Sequence, residues 1–374
     1  MKINIYKKWI IIFFFITAAP VFFNLIIDSN GYLQTIKIHG INANKYEIIS
    51  EYTTKLYYAK RATPEALMIG TSRMMVFKPS DVQHYINMKT YNLSLSGSNV
   101  YEQFSYFYYM VKNYNIRYVI LSLDFFSYNP ENRNKIGFNE RRFKHGFLLS
   151  DFEAELLGLQ SLKSSIDTVR NNITGKCEPI NWSEGYSTWC EKEKALQEYG
   201  NIIIQRDMKN SLRVFSTDPL GYNSEAFRNP DSINDNLRLL KRIVDTCKER
   251  RITLKLYISP VYKNQFDLIY AMGLRKTYEK WKFEIAQLSD YYDFTGRNTV
   301  TSDQSLWWDT SHLRSQYGKY IFARIFSDNQ TSVPRDFGIL MTKGNVTQNI
   351  ARLHTQVSST DIKQILQLNS DDDD

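Results

Sequence analysis

Hydrophobic positions in this chain fall into runs of three kinds, each implying a different environment. The first is residues 9–27, from Trp9 to Ile27, which are almost unbroken in their apolarity. That length is close to the roughly 20 residues that cross a bilayer as a helix. Lys2, Lys7 and Lys8 precede the run and little positive charge follows directly, so the N-terminus is expected on the cytoplasmic side. A cleavable signal is the rival. Thr17-Ala18-Ala19 resembles a small-residue cleavage site, but Pro20 follows it and the apolar run continues beyond. The expectation is therefore an uncleaved anchor with residues 1–8 as a cytoplasmic tail, although Pro20 and Asn24 do not suit a simple lipid-facing helix.

The second kind is short and β-like. Ala66–Ile69, Thr90–Leu95, Arg117–Leu123, Ile252–Ser259 and Tyr291–Phe294 read as buried strands. The third has helical spacing. Val100–Asn113 opens at Asn99 and Glu102, Leu237, Leu240, Val244 and Cys247 share one face, and Tyr317, Ile321 and Ile325 mark a closing helix. Strands alternating with helices predict an α/β fold with a mostly parallel sheet of five strands, covered on both faces. Residues 28–60 read as a linker and 61–330 as the main domain. Residues 128–230 are polar, rich in Asn, Ser and Arg, and read as an insertion; residues 331–374 read as a loosely ordered tail.

Composition adds limits rather than a function. The 374 residues carry a formal charge of +8 with no Lys/Arg-rich run, so no nucleic-acid partner is expected. The three cysteines, Cys177, Cys190 and Cys247, include no pair at metal-site spacing. Cys177 and Cys190 share one polar segment and could form a disulfide in an oxidising compartment. Cys247 falls on an apolar helix face and reads as core.

Chemistry is suggested at the strand ends, because sites in parallel sheets form beyond the carboxyl ends of the strands. Ala66–Ile69 runs into Gly70-Thr71-Ser72-Arg73, the second strand into Ser96-Gly97-Ser98-Asn99, and the third into Asp124. Serine acyl transfer needs a base for the hydroxyl, an orienting partner for the base and donors for the oxyanion. Of the five histidines only His312 follows an aspartate in a short loop, Asp309-Thr-Ser-His312. Such a turn can set a carboxylate against Nδ1 and leave Nε2 to face Ser72. Arg73 could contact an anionic substrate group, or form a salt bridge. Arg141, Arg142 and Lys144 could add a basic rim, and Trp307-Trp308 could stack on sugar rings or pack behind the loop.

In this order, Gly-Thr-Ser72, Gly97 and Asp309-x-x-His312 resemble the blocks of the SGNH (GDSL-type) hydrolase superfamily over about residues 61–327. Thr71 stands where that family has Asp. The resemblance implies a three-layer sandwich with Ser72 as nucleophile, His312 as general base and Asp309 as its orienter. It also implies an oxyanion hole from the amides of Ser72 and Gly97, with no metal and no cofactor. The third block departs: the family's Asn donor is replaced by Asp124, so the hole either lacks that donor or borrows it from Asn99 or Asn129. Asp124 itself could face substrate or cap local amides. With the N-terminal anchor, the chain is similar to envelope acyl-transfer proteins of the teichoic-acid D-alanylation and alginate-type O-acetylation kinds. That similarity implies a periplasmic or extracellular domain that transfers or hydrolyses acyl esters, acetyl foremost, of an envelope polysaccharide or teichoic-acid-like polymer beside a membrane-bound O-acyltransferase. The alternative is an SGNH-like scaffold, weak or inactive in catalysis, that assists such an acyltransferase.

Overall fold

The structure is a computed structural model that describes residues 2–46, 51–145 and 147–358. Along the chain, helix α1 (Lys2–Ile27) and α2 (Glu51–Ala62) precede strand β1 (Ala66–Ile69). Then follow α3 (Ser80–Ile86), β2 (Thr90–Asn92), α4 (Val100–Asn113) and β3 (Tyr118–Leu123). After a 3₁₀ turn and a short helix at Arg141–His145 come the longer helices α5 (Leu149–Leu157), α6 (Leu159–Ile173), α7 (Cys190–Tyr199) and α8 (Ile202–Thr217). Helix α9 (Asn234–Glu249) leads into β4 (Thr253–Ile258), and α10 (Lys263–Ala271) and α11 (Arg275–Leu288) into β5 (Tyr291–Asp293). The chain closes with α12 (Gly318–Phe326), β6 (Ile339–Met341) and α13 (Val346–Thr355).

Two compact units divide these elements. One holds residues 1–61, 136–183 and 188–191; the other holds 62–135, 184–187 and the chain from 192 onward. The segment expected as one insertion, 128–230, is thus shared between them. Within the first unit, the last turns of α1 pack on α5 and α6. Asp28 accepts from the amides of Leu33 and Thr35, and the Lys45 ammonium donates to the Ile27 carbonyl at 2.6 Å. These bonds fold the segment expected as a bare linker, whose last part is α2. Cys177 and Cys190 form a disulfide, while Cys247 is buried and unbonded in the other unit.

The second unit is built on a six-stranded sheet in the order β2-β1-β3-β4-β5-β6. The first five strands pair in parallel, and β6 pairs antiparallel with β5. The sheet therefore has one strand more than expected. The extra strand comes from the segment read as a loose tail, where β6 and α13 are ordered because Met341, Val346 and Leu353 are buried. The four terminal aspartates lie outside the described residues. Every residue of β3 is buried, as a central parallel strand requires. Parallel crossovers are right-handed. The connection from β1 to β2 steps one way and that from β2 to β3 steps back, so α3 and α4 lie on opposite faces. Helix α12 joins α3, and α9 joins α4.

The strand order reverses at β1, whose neighbours are β2 and β3. A crevice opens at such a reversal, beyond the carboxyl ends of the strands. Gly70 ends β1 there because nothing larger fits: an added Cβ would lie 1.9 Å from Ser122 Oγ on β3. The carbonyl of Gly70 accepts from Leu95 N at 3.0 Å and from Ser98 Oγ at 3.2 Å. The loop after β2 is thereby fastened to the end of β1.

Candidate active site

Thr71 caps a single helical turn, Ser72–Met75, by accepting from the Arg73 amide. The turn lifts Ser72 out of the buried strand and leaves it partly exposed. Its Oγ lies 2.9 Å from His312 Nε2, and His312 Nδ1 lies 2.9 Å from both carboxylate oxygens of Asp309. Asp309 Oδ1 also accepts from the amides of Ser311 at 2.7 Å and His312 at 2.9 Å. The turn therefore fixes the carboxylate before the carboxylate fixes the ring. Burial pushes the Asp309 pKa up, but the His312 ring, the Lys192 ammonium and the Ser311 amide outweigh it and hold it at about 2. Lys192 Nζ stands 3.7 Å from Asp309 and 2.9 Å from Asp207.

These residues open onto a cavity of about 610 Å³. Gly97 lines it, in a left-handed turn (φ 62°) that favours glycine. One wall is α8, which turns Ile204, Met208 and Leu212 inward to the core. Its other face gives the cavity Arg206, Asp207, Asn210, Ser211, Val214 and Phe215. Phe126 and Leu220 extend the apolar part, and Arg73, Lys135 and Lys192 join Arg206 as its cations.

Two expected donors are committed elsewhere. Asn99 caps α4, with its Oδ1 taking the Glu102 amide and its Nδ2 bonded to Asn132 O and Asn134 Oδ1. Asn129 holds the carbonyls of Pro219 and Gly221. Neither lines the cavity. Asn132 does line it. It is buried at 5% exposure, and its Nδ2 has no hydrogen-bond partner. Lys135 Nζ bonds Asn132 Oδ1 at 2.8 Å. An ammonium can only donate, so it fixes the oxygen end and leaves the NH₂ end unbonded. Nothing in the sequence marks Asn132 among its many asparagines, because its place depends on how the loop after β3 folds back.

Arg73 and Asp124, each read as a substrate contact or as part of the frame, form a buried ion pair. Asp124 Oδ2 accepts from Thr71 Oγ1 at 2.6 Å and its Oδ1 from Arg73 Nη1 at 3.0 Å. Asp124 is 1% exposed and does not line the cavity. Arg73 reaches the wall with its guanidinium stacked between Phe126 and Phe215, 5.1 and 5.7 Å from the ring centres. Its Nη2 donates to Ser311 Oγ at 3.1 Å, and Ser311 Oγ donates to Gln265. Arg73 thus links the turn of the nucleophile to the loop of the base. Burial works against its charge, but the Asp124 carboxylate and the Tyr222 hydroxyl together outweigh this and strengthen the guanidinium's hold on its proton.

The remaining candidates lie apart. Trp307 and Trp308 are buried and off the cavity; Trp307 Nε1 bonds Val300 O, and the Trp308 amide donates to His312 O at 2.9 Å. They brace the loop and offer no sugar-stacking face. Arg142 is paired with Asp151, and neither it nor Arg141 or Lys144 lines the cavity.

Together, a hydroxyl, an imidazole and a carboxylate form one hydrogen-bonded chain, and Asn132, whose buried Nδ2 is unbonded, belongs to the lining of the same cavity. That arrangement can run nucleophilic acyl transfer. The Asp309 pKa carries a stability consequence. It lies below the usual 3.8, so its contribution is present above pH 3.8 and is lost as pH falls toward about 2. Asp309→Asn is expected to flatten that stretch of the stability–pH curve, as read by denaturant titration at each pH. No protein-family model matches the chain, and no curated protein matches it in sequence.

Proposed function

We propose that the protein is a membrane-anchored, extracytoplasmic serine acyltransferase or esterase of SGNH type, acting on acyl esters of a cell-envelope polysaccharide. The observation that carries this reading is the unbroken chain from Ser72 Oγ through His312 to Asp309, at 2.9 Å for each link. Ser72 Oγ attacks the ester carbonyl as His312 Nε2 takes its proton. The tetrahedral oxyanion is held by the amides of Ser72 and Gly97 and by Asn132 Nδ2. On collapse the alcohol leaves with the proton from His312, and the acyl group stays on Ser72. An acceptor hydroxyl, or water in the hydrolytic version, reverses the sequence.

Two features support the placement. Helix α1 contains an apolar span, Tyr6–Ile27, long enough to cross a membrane, and the Cys177–Cys190 disulfide suits an oxidising compartment. A multi-spanning O-acyltransferase would supply the acyl group to such an enzyme. The scaffold alternative drew on Asp124 in place of an amide donor. Asp124 is engaged with Thr71 and Arg73, and Asn132 offers the donor instead, which favours the catalytic reading.

A fluorophosphonate probe tests the reaction class. Label on the purified full chain, mapped by peptide mass to Ser72, supports it; no label under conditions that modify a control serine esterase rejects it. Asn132→Ala tests the oxyanion assignment. Loss of one such donor lowers kcat by about 10²- to 10³-fold, with labelling still at Ser72. An unchanged kcat would remove Asn132 from the hole.

A further inference from the structure

Helix α6 is packed inside out for a protein in water. Its buried face is Ser161, Ser164, Ser165 and Thr168. Three of its apolar residues point away, Leu159 at 85% exposure, Ile166 at 55% and Ile173 at 71%, while Leu162 and Val169 are half-buried beside them. They recur at helical spacing, so they form one stripe rather than scattered positions. A helix beside water would place these two sets the other way round. Small and hydroxyl residues at helix contacts, with apolar residues facing out, are the pattern of helices packed in lipid.

The neighbourhood of α6 points to the same medium. From Ala18 on, one side of α1 is covered, with Asn24 and Ile27 buried, and the covering helices are α5 and α6. Those ten residues rise about 15 Å along the helix axis, a large part of the apolar span. Asn24 Nδ2 donates to Leu156 O at 3.1 Å, and Ser165 Oγ donates to Asn24 Oδ1 at 2.9 Å. The polar residue that does not suit a lone span is thus satisfied by α5 and α6, as a polar group at membrane depth must be. The corner between those helices exposes Leu157 at 68% alongside Leu159. Lys163 and Arg170 lie on the flank of the α6 stripe, exposed, where their long side chains can reach anionic headgroups.

We infer that α6 and the α5–α6 corner are seated in the lipid leaflet at the C-terminal end of α1, so that this unit holds the membrane through a three-helix wedge rather than a single span. The inference rests on the reading of α1 as a membrane anchor, and the two are separated by site-specific depth measurement. The full chain is reconstituted in phosphatidylethanolamine–phosphatidylglycerol vesicles as single variants Ile26→Cys, Leu159→Cys, Ile166→Cys and Lys209→Cys, each carrying an NBD label. The native cysteines do not compete, being disulfide-bonded or buried. The bridged Cys177–Cys190 pair serves as the check that the unit is folded.

Lipid-borne doxyl groups at the shallow acyl position are expected to quench the labels at 26, 159 and 166 by at least about twofold, and to leave 209 unchanged. Quenching at 26 but not at 159 or 166 overturns the wedge and leaves the anchor standing. Quenching at none of the three overturns both. A blue-shifted but unquenched label at 159 and 166 means that protein, such as a second copy, covers the stripe, and also overturns the wedge.

Discussion

Ser72→Ala is expected to abolish acyl-ester turnover, lowering kcat by about 10⁴-fold or more, with the fold unchanged. The reason is geometric. Ser72 Oγ is the atom at 2.9 Å from Nε2 of a ring whose Nδ1 is held by Asp309, and no other histidine lines the cavity. Because the three residues act as one unit, His312→Ala should cost about as much, and the double variant little more than either. Steady-state kinetics on a soluble aryl ester, with single-turnover measurement of the acyl-enzyme, reads all three variants. A Ser72→Ala protein that keeps a tenth of its activity would exclude Ser72 as nucleophile.

Asp124→Ala is expected to be the most destabilising of these substitutions, by about 3–5 kcal/mol. Asp124 is the carboxylate partner of Arg73 in a site where both are almost fully buried. Without it the guanidinium keeps its stacking on Phe126 and Phe215 but loses its counter-charge, and Thr71 Oγ1 loses its acceptor. Asp124→Asn keeps the shape and one good acceptor, so its loss should be smaller. Removing the ion pair whole, as in Arg73→Met with Asp124→Leu, should recover part of the stability lost in Asp124→Ala. Activity should not return with it, because the strut to Ser311 is gone. Denaturant midpoints at constant m-value measure the first effect, and kcat the second. If Asp124→Ala left stability intact while raising KM alone, Asp124 would belong to the substrate surface.

The contrast between these residues explains what could be read from the chain. Ser72 was legible because a strand that stops at a glycine and a hydroxyl is a local pattern. Asp309 and His312 were legible because three residues of turn suffice to join them. Gly97 was placed by the end of β2. Asn132 and the α8 wall were not, since each acquires its role only from tertiary placement. The Asn132 amide matters through a lysine on its far side, and α8 matters through which of its two faces meets the cavity. Asp124 at a strand end left two readings open, substrate and frame, and its partners, Thr71 and Arg73, draw it into the frame. Strand β6 is three residues long, too short for periodicity to register. Helix α6 lies in the stretch that reads as a polar insertion, which gives no hint that an apolar side faces outward.

The strut from Arg73 to Ser311 joins residues 238 positions apart, and the bond from Ser72 to His312 spans 240. Every part of the reacting constellation on the N-terminal side is therefore made long before its counterpart leaves the ribosome. A nascent chain that has exposed Ser72 but not yet His312 carries a hydroxyl with no base, and so cannot attack an ester. Under the proposed function, such a chain would stay chemically silent during export until its final loop had crossed.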